Sequence, residues 1–413
     1  MPESLAAVPR ELPLARNRDF KVLLSSQTVS ALGDAVSFTA LPLLVLALTG
    51  SGFAMGVVGA VQTLPDLVFG MLAGAIADRS DRKRMMFLAD GGRAILTAMI
   101  PLSVEIGGPT MAVILIVAAP MSILRSFFLA GYTASIPALV GRSQIGRANS
   151  IFEALYSLGF IVGPAIAGIL AAVIGPGPTL AIDAASFAFS ALFLAALRTD
   201  LRAPVDRPRP PILAAIREGI AYILASPVLR SIIPVWTIIA ILVAPLVTAV
   251  TVLVTRDLGL PSSTLGALLA TYGVGTVIGS VASARIINHV RPGIMLLAGN
   301  AVLGIALIVV ALETFLPLLF VAALVAGAAA SMALVTYITL RTAYSPDEYL
   351  GRIGSTARTI SIGLQPIGLL LGGALVDRIG GSTTLALMGA AIALVSLAFV
   401  PVRAIRSATL QPF

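Results

Sequence analysis

Twelve apolar stretches, each long enough to cross a bilayer, divide this chain: 22–48, 53–77, 85–104, 111–139, 149–174, 179–197, 232–254, 265–287, 293–312, 316–340, 355–376 and 383–402. A helix rises 1.5 Å per residue, so about 20 apolar residues cover the hydrocarbon core. Water cannot be the solvent for so much apolar surface. Of the 413 residues, 58% are hydrophobic and only 11% charged, and mean hydropathy is +1.02. A soluble domain carries about 25% charged residues. The first stretch holds one acid in 27 residues. It exceeds the roughly 7–15-residue core of a signal peptide and is expected to be retained.

The stretches fall into two sets of six. The expected organisation is a polar tail (1–21), a six-helix bundle (22–197), a linker (198–230), a second six-helix bundle (231–402) and a short tail (403–413). The linker contains Pro204, Pro208, Pro210 and Pro211, followed by an amphipathic segment at 212–224 that reads as a surface helix. The fold class is therefore an all-α integral membrane protein with twelve spans.

Charge fixes the direction of the spans. Of the 27 Lys and Arg residues, 22 lie in the tails and in the loops that would share their side, and only Arg256 and Arg378 lie in the opposite loops. Basic loops stay in the cytoplasm, so both termini are expected there. The net charge of +8 then belongs to those loops and does not indicate a nucleic-acid partner. With no Cys and a single His (His289), disulfides, thiolate metal sites and a Ser-His-Asp triad drop out. No nucleotide loop is visible either, so an enzyme is not expected, and neither a metal nor a cofactor.

The chain also repeats itself. At an offset of 205, Gly146-Arg147 falls on Gly351-Arg352, Ser150 on Ser355, Gly163 on Gly368, Gly168 on Gly373, Gly175 on Gly380 and Thr179 on Thr384. Gly70 and Gly74 fall on Gly275 and Gly279, and Tyr132 on Tyr337. Two like halves of six spans, both starting on one side, are related by an axis along the membrane normal.

Three motifs stand on this frame. GAIADRSDRKR (74–84) packs six charges into its last seven residues between two uncharged spans. YSLGFIVGPAIAG (156–168) places Gly159, Gly163, Pro164 and Gly168 in one helix, where small residues allow close approach and proline permits a kink. IDAASFAFSALFLAAL (182–197) lies in the sixth span. The first resembles the loop motif between spans two and three of the major facilitator superfamily, with Asp81 in place of its second glycine. The second resembles the antiporter motif of drug–proton exchangers. The third is similar to the subgroup with macrolide-efflux and enterobactin-exporter proteins.

This resemblance implies a secondary transporter that works by rocking one bundle against the other. It implies proton-coupled efflux of drugs or other amphipathic small molecules, driven by the proton gradient across a bacterial cytoplasmic membrane. The alternative is dedicated export of an endogenous metabolite such as a siderophore, or movement of a lysophospholipid. The expected partners are the bilayer and the small molecule, with the chain acting as a monomer. The resemblance assigns Gly74, Asp78, Arg79, Arg82 and Lys83 to a cytoplasmic gate, with Asp78 and Arg82 latching the halves. Ser283 occupies the Asp78 position in the second half, so one strong latch is expected. The glycines of span five are expected to cross span eight or eleven.

Charges inside the spans need a reason, because each costs roughly 2.5–3.5 kcal/mol at a helix centre even on the gentlest scale. Asp34 and Asp66 lie twelve and thirteen residues into their stretches, near mid-depth. Glu153 and Arg358 are equivalent in the repeat and opposite in charge. The expected partners are Arg125 with Glu153, or Glu153 with Arg358. Asp90 and Arg93, at i,i+3, suggest a local pair near the charged loop, and Asp183 reads as structural. Asp34, then Glu153 and Asp66, are the candidate proton carriers, since protonation makes a carboxyl cheap to bury. Phe38, Phe127, Phe128, Tyr132, Tyr156, Phe160 and Trp236 are candidate linings of a central cavity.

Overall fold

The computed structural model describes residues 13–77, 79–202, 212–346 and 349–410, side chains at 66, 67, 71, 75, 142 and 212–216 excepted. The first six stretches are helices: α1 (Arg18–Thr49), α2 (Gly52–Ala77), α3 (Arg82–Glu105), α4 (Thr110–Val140), α5 (Ile145–Ile174) and α6 (Pro176–Ala195). Each begins a little before its apolar stretch, and polar side chains cap the first three. Asn17 accepts from the Phe20 amide to start α1, and Asp81 accepts from the Arg84 amide to start α3. The surface helix of the linker is α7 (Ile212–Ala225).

The second half departs from one helix per stretch. The seventh is broken: α8 (Leu229–Val243) stops before Pro245, and α9 (Leu246–Val252) continues into a π-turn (Leu253–Asp257). Next come α10 (Ser262–Ile286), α11 (Pro292–Leu312) and α12 (Leu316–Ala343). The eleventh stretch divides before Pro366 into α13 (Leu350–Gly363) and the start of α14 (Gln365–Ala398). Helix α14 then turns at Gly380, whose φ of 81° suits a residue without Cβ. Beyond it the chain runs back: the Ser382 hydroxyl donates to the Ala311 carbonyl at the far end of α11, and Gly389 meets Gly304 at its middle. So α14 carries both the end of the eleventh crossing and the twelfth. Eleven helical segments are long and apolar enough to cross a bilayer among the described residues, the last of them this doubled one.

Helix α1 packs on α5 and α6, α2 on α4, and α3 on α4 and α6. In the second half α10 packs on α12, α11 on α12 and α14, and α14 on α8 and α9. Large apolar side chains cover the outside. Ile95, Ile116, Leu192 and Leu394 are 69%, 68%, 66% and 66% exposed, a surface that only lipid can accept in such quantity.

Two helix pairs, α5 with α10 and α2 with α14, carry most of the contact between halves. The glycines repeat this geometry. Gly163 lies against Ala35 of α1, and its repeat partner Gly368 against Ile241 of α8. Gly168 lies against Gly266 of α10, and its partner Gly373 against Gly52 of α2. Equivalent residues thus touch the first span of their own half and a span of the other.

Among the described residues, the seam between halves is packed closely at one face. Both described chain ends and the charged loop lie at one end of the helices, the basic face. At the opposite, far face, Gly52, Gly56 and Gly373 leave no room for a Cβ between α2 and α14. Toward the basic face, Gly70 and Gly74 on α2 have no neighbouring atom among the described residues within 4 Å of where a Cβ would stand.

Candidate functional site

Helix C-termini expose carbonyls with partial negative charge, which cations satisfy. Arg82 donates from Nε to the Ala77 carbonyl (3.2 Å), closing the end of α2, and from Nη1 to the Ala134 carbonyl (2.9 Å) within α4. Lys83 donates to the carbonyls of Ala195 and Leu197 (2.9 and 2.7 Å) past the end of α6. Asp19 adds to the tie, accepting from the Thr199 and Arg198 amides (2.7 and 3.0 Å). Among the described residues, Arg82 therefore staples helices of its own half. Arg79 is exposed. Asp78 lies outside the described residues. Asp81 explains the departure from the loop motif: it replaces a glycine with a helix cap.

The far face carries a clasp that sequence reading missed. Asp377, in α14, accepts from the Ser51 hydroxyl (2.6 Å) and from the Gly52 and Phe53 amides (2.5 and 3.0 Å). A carboxylate of one half thus occupies the N-terminus of α2 in the other, where the helix dipole favours negative charge. The available signal was a lone acid at the end of a span. Within the second half, Asp257 binds the amides of Gly381 and Ser382 in the same way.

Inside the first half, α1, α3 and α6 meet around charge. Asp34, at the middle of α1, accepts from Arg93 Nη2 at 2.7 Å. Arg93 Nη1 lies 3.3 Å from Asp90, and the guanidinium stacks 3.7 Å over the Phe187 ring. Asp90 also accepts from Ser190, which bonds Ser26 at 2.7 Å. Asp183 accepts from Ser37 at 2.5 Å and from Ser186 at 3.3 Å. The Asp90–Arg93 pair exists, but it faces Asp34 instead of standing alone beside the loop. Asp90 and Asp183 are buried, whereas the Asp34 side chain is 37% exposed.

That exposure opens onto the seam. The Phe160 carbonyl faces Gly273 of α10, so this side of α5 looks toward the other half. Phe160 packs on Phe38 of α1 (centroids 5.5 Å) and on Tyr156 (4.8 Å). One turn toward the basic face, where the halves diverge, Tyr156 is 49% exposed. It lies within electrostatic reach of Asp34, Arg125 and Glu153. Opposite, Trp236 stacks face to face on Tyr337 (4.7 Å). Phe127 is half-buried. Phe128 is a correction: it is buried in a core with Phe20 and Phe152 and lines no cavity, and Tyr132 packs edge-on against Phe152 in that core.

Glu153 and Arg358 are both exposed, and neither has an ion-pair partner among the described residues. Neither expected pairing of Glu153 is therefore made. The Asp66 side chain lies outside the described residues. Of the two crossings expected of the span-five motif, the one with span eight is made: Gly168 meets Gly266 of α10, while Gly159 and Gly163 pack on Ala31 and Ala35 of α1.

A seam open at one end, lined by an acid and aromatics between two repeated bundles, defines a carrier and not an enzyme. Residues 12–411 match the model of the transmembrane secretion effector family, a branch of the major facilitator superfamily, and the chain belongs to it. It is 30% identical to the multidrug efflux pump Tap of Mycolicibacterium fortuitum, over 87% of this chain and 89% of that one. It is 26% identical to the enterobactin exporter EntS of Escherichia coli O1:K1 / APEC, over 88% and 86%. Among solved structures, a D323A mutant of the nucleoside transporter NupG shares the fold at TM-score 0.80 and 14% identity, covering 94% of this chain and all of that one.

Proposed function

We propose that the protein exports amphipathic small molecules from the bacterial cytoplasm in exchange for protons, by rocker-switch alternating access. The basic face is the cytoplasmic one, both termini lie there, and the chain works as a monomer. The observation that carries the reading is Asp34: an acid at mid-depth, exposed to the seam, beside Phe38, Tyr156 and Phe160. Aromatic faces accept apolar bodies of many shapes. A carboxyl reached from both faces in turn exchanges protons with each, and about 2.3 kcal/mol per charge is available per 100 mV.

The conformation is inward-open, held by Asp377 on the N-terminus of α2 at the far face. The family resemblance gives Asp78 and Arg82 the reverse duty when the cytoplasmic face closes. The likeness to Tap favours drugs as cargo. The likeness to the enterobactin exporter supports a second reading, dedicated export of an endogenous metabolite.

Purified protein in liposomes, loaded with a lipophilic cationic dye under an imposed pH gradient, tests the reading. Asp34→Asn is expected to lower gradient-driven export at least about tenfold, the scale of one lost charge contact. Undiminished coupling removes Asp34 from the mechanism.

A further inference from the structure

The junction of α1, α3 and α6 holds three carboxylates and one guanidinium. Arg93 can neutralise only one negative charge at a time, yet it touches two, Asp34 and Asp90. The two differ in access. Asp90 is fully buried and held by Ser190, so it has no route to exchange protons with water. Asp34 is open to the seam. Arg93 itself is 3% exposed and rests on the Phe187 ring, and its Nε has no acceptor among the described residues. The guanidinium is anchored in place without being locked by all of its donors. Asp183 is bonded to Ser37 and Ser186 and not to Arg93.

We infer that Arg93 is the positioning residue for proton exchange at Asp34: a shared counter-ion that stays on Asp90 when Asp34 takes a proton and reclaims Asp34 when the proton leaves. This rests on the proton-coupled reading above. In the step, a proton from water in the open seam binds Asp34 Oδ1 as the bond from Arg93 Nη2 breaks. The guanidinium keeps its charge, matched by Asp90, and no electrons move. Release reverses it. The remaining charged or titratable groups around Asp34 among the described residues are Asp183 on α6, Tyr156 and Glu153 on α5 and Arg125 on α4; α9 contributes none, and the Asp66 side chain of α2 lies outside the described residues. None of these has an ion pair with Asp34 among the described residues. The closed Asp34–Arg93 contact in the inward-open conformation is the proton-released half of the cycle.

The test is proton release on dye binding by the full-length protein in detergent, followed with a pH indicator, together with the pH profile of export in liposomes. An opposite charge nearby shifts a carboxyl by about one to three pH units. Asp90→Asn leaves Arg93 wholly to Asp34, so the release midpoint is expected to fall by about one unit. The double variant Asp90→Asn/Arg93→Gln removes the pair without a net charge change and leaves Asp34 alone. Its midpoint is expected to rise by about one unit. Arg93→Lys keeps the charge but not the two-pronged geometry, and is expected to bind dye while releasing fewer protons per dye. Opposite shifts support the inference, because a scaffold role would move both variants alike. Unmoved midpoints, or shifts of one sign, in the folded double and single variants overturn it. A wild-type protein that releases no proton on binding dye sinks the parent reading instead.

Discussion

The two halves are built alike and filled differently. In the first, α1, α3 and α6 enclose Asp34, Asp90, Arg93 and Asp183. In the second, the corresponding helices α8 and α11 and the returning part of α14 meet through Ile232, Ile239, Leu296, Leu303, Met388 and Ile392. Helix α11 and residues 380–398 contain no charged residue at all. One backbone plan thus serves as a charge-bearing bundle and as an apolar wall. Burying ions is costly, and concentrating charge in one half lets the other be packed with hydrocarbon.

The sharpest way to break this comparison is to empty each junction in turn. Arg93→Met leaves the buried Asp90 carboxylate without a counter-ion and is expected to destabilise the protein by about 3–5 kcal/mol. In the other half, Asn300 is buried with neither amide atom partnered among the described residues. Asn300→Leu is expected to be neutral or stabilising by up to about 1 kcal/mol. Thermal unfolding in detergent separates the two, and equal losses would erase the distinction between halves.

Gly163→Val drives a side chain into Ala35, one residue from Asp34, while Gly368→Val strikes the equivalent place at Ile241. Both should lose about 1–3 kcal/mol of stability by overpacking. Only the first should also lower the protons exchanged per substrate, read in liposomes.

The clasps give a smaller contrast. Asp377→Asn weakens a charge-assisted contact between halves and should shift the population toward outward-open by about 1 kcal/mol, roughly fivefold. Asp257→Asn alters the same kind of cap inside one half and should leave the population alone. Spin-label distances across the far face read both. Smallest of all, Lys83→Ala removes a cap on α6 and should cost about 0.5 kcal/mol in thermal stability, with transport intact.

Much of this was legible in one dimension. Span positions follow from apolar length, and the halves from the ungapped offset of 205, because a repeated backbone repeats its glycines. The resemblance of 74–84 and 156–168 pointed to the transporter class. Breaks at Pro245 and Pro366 were visible as residues but not as consequences, since proline inside a membrane helix is tolerated whenever neighbours satisfy the freed groups. Phe128 and Phe160 look alike in the sequence. One is buried among rings and the other faces the seam, and helical phase alone does not say which neighbour covers which face.

What the sequence settled by itself is the solvent, the number of crossings, their direction as an expectation, and the internal duplication, all of which depend on composition and spacing. What only the tertiary structure decided is pairing: Arg93 with Asp34, Asp377 with the start of α2, Arg82 with carbonyls of α2 and α4 in its own half. The physical reason is that a charge in a membrane protein is stabilised by whichever opposite charge or helix end lies a few ångströms away. That distance joins residues 59 and 325 positions apart in the chain.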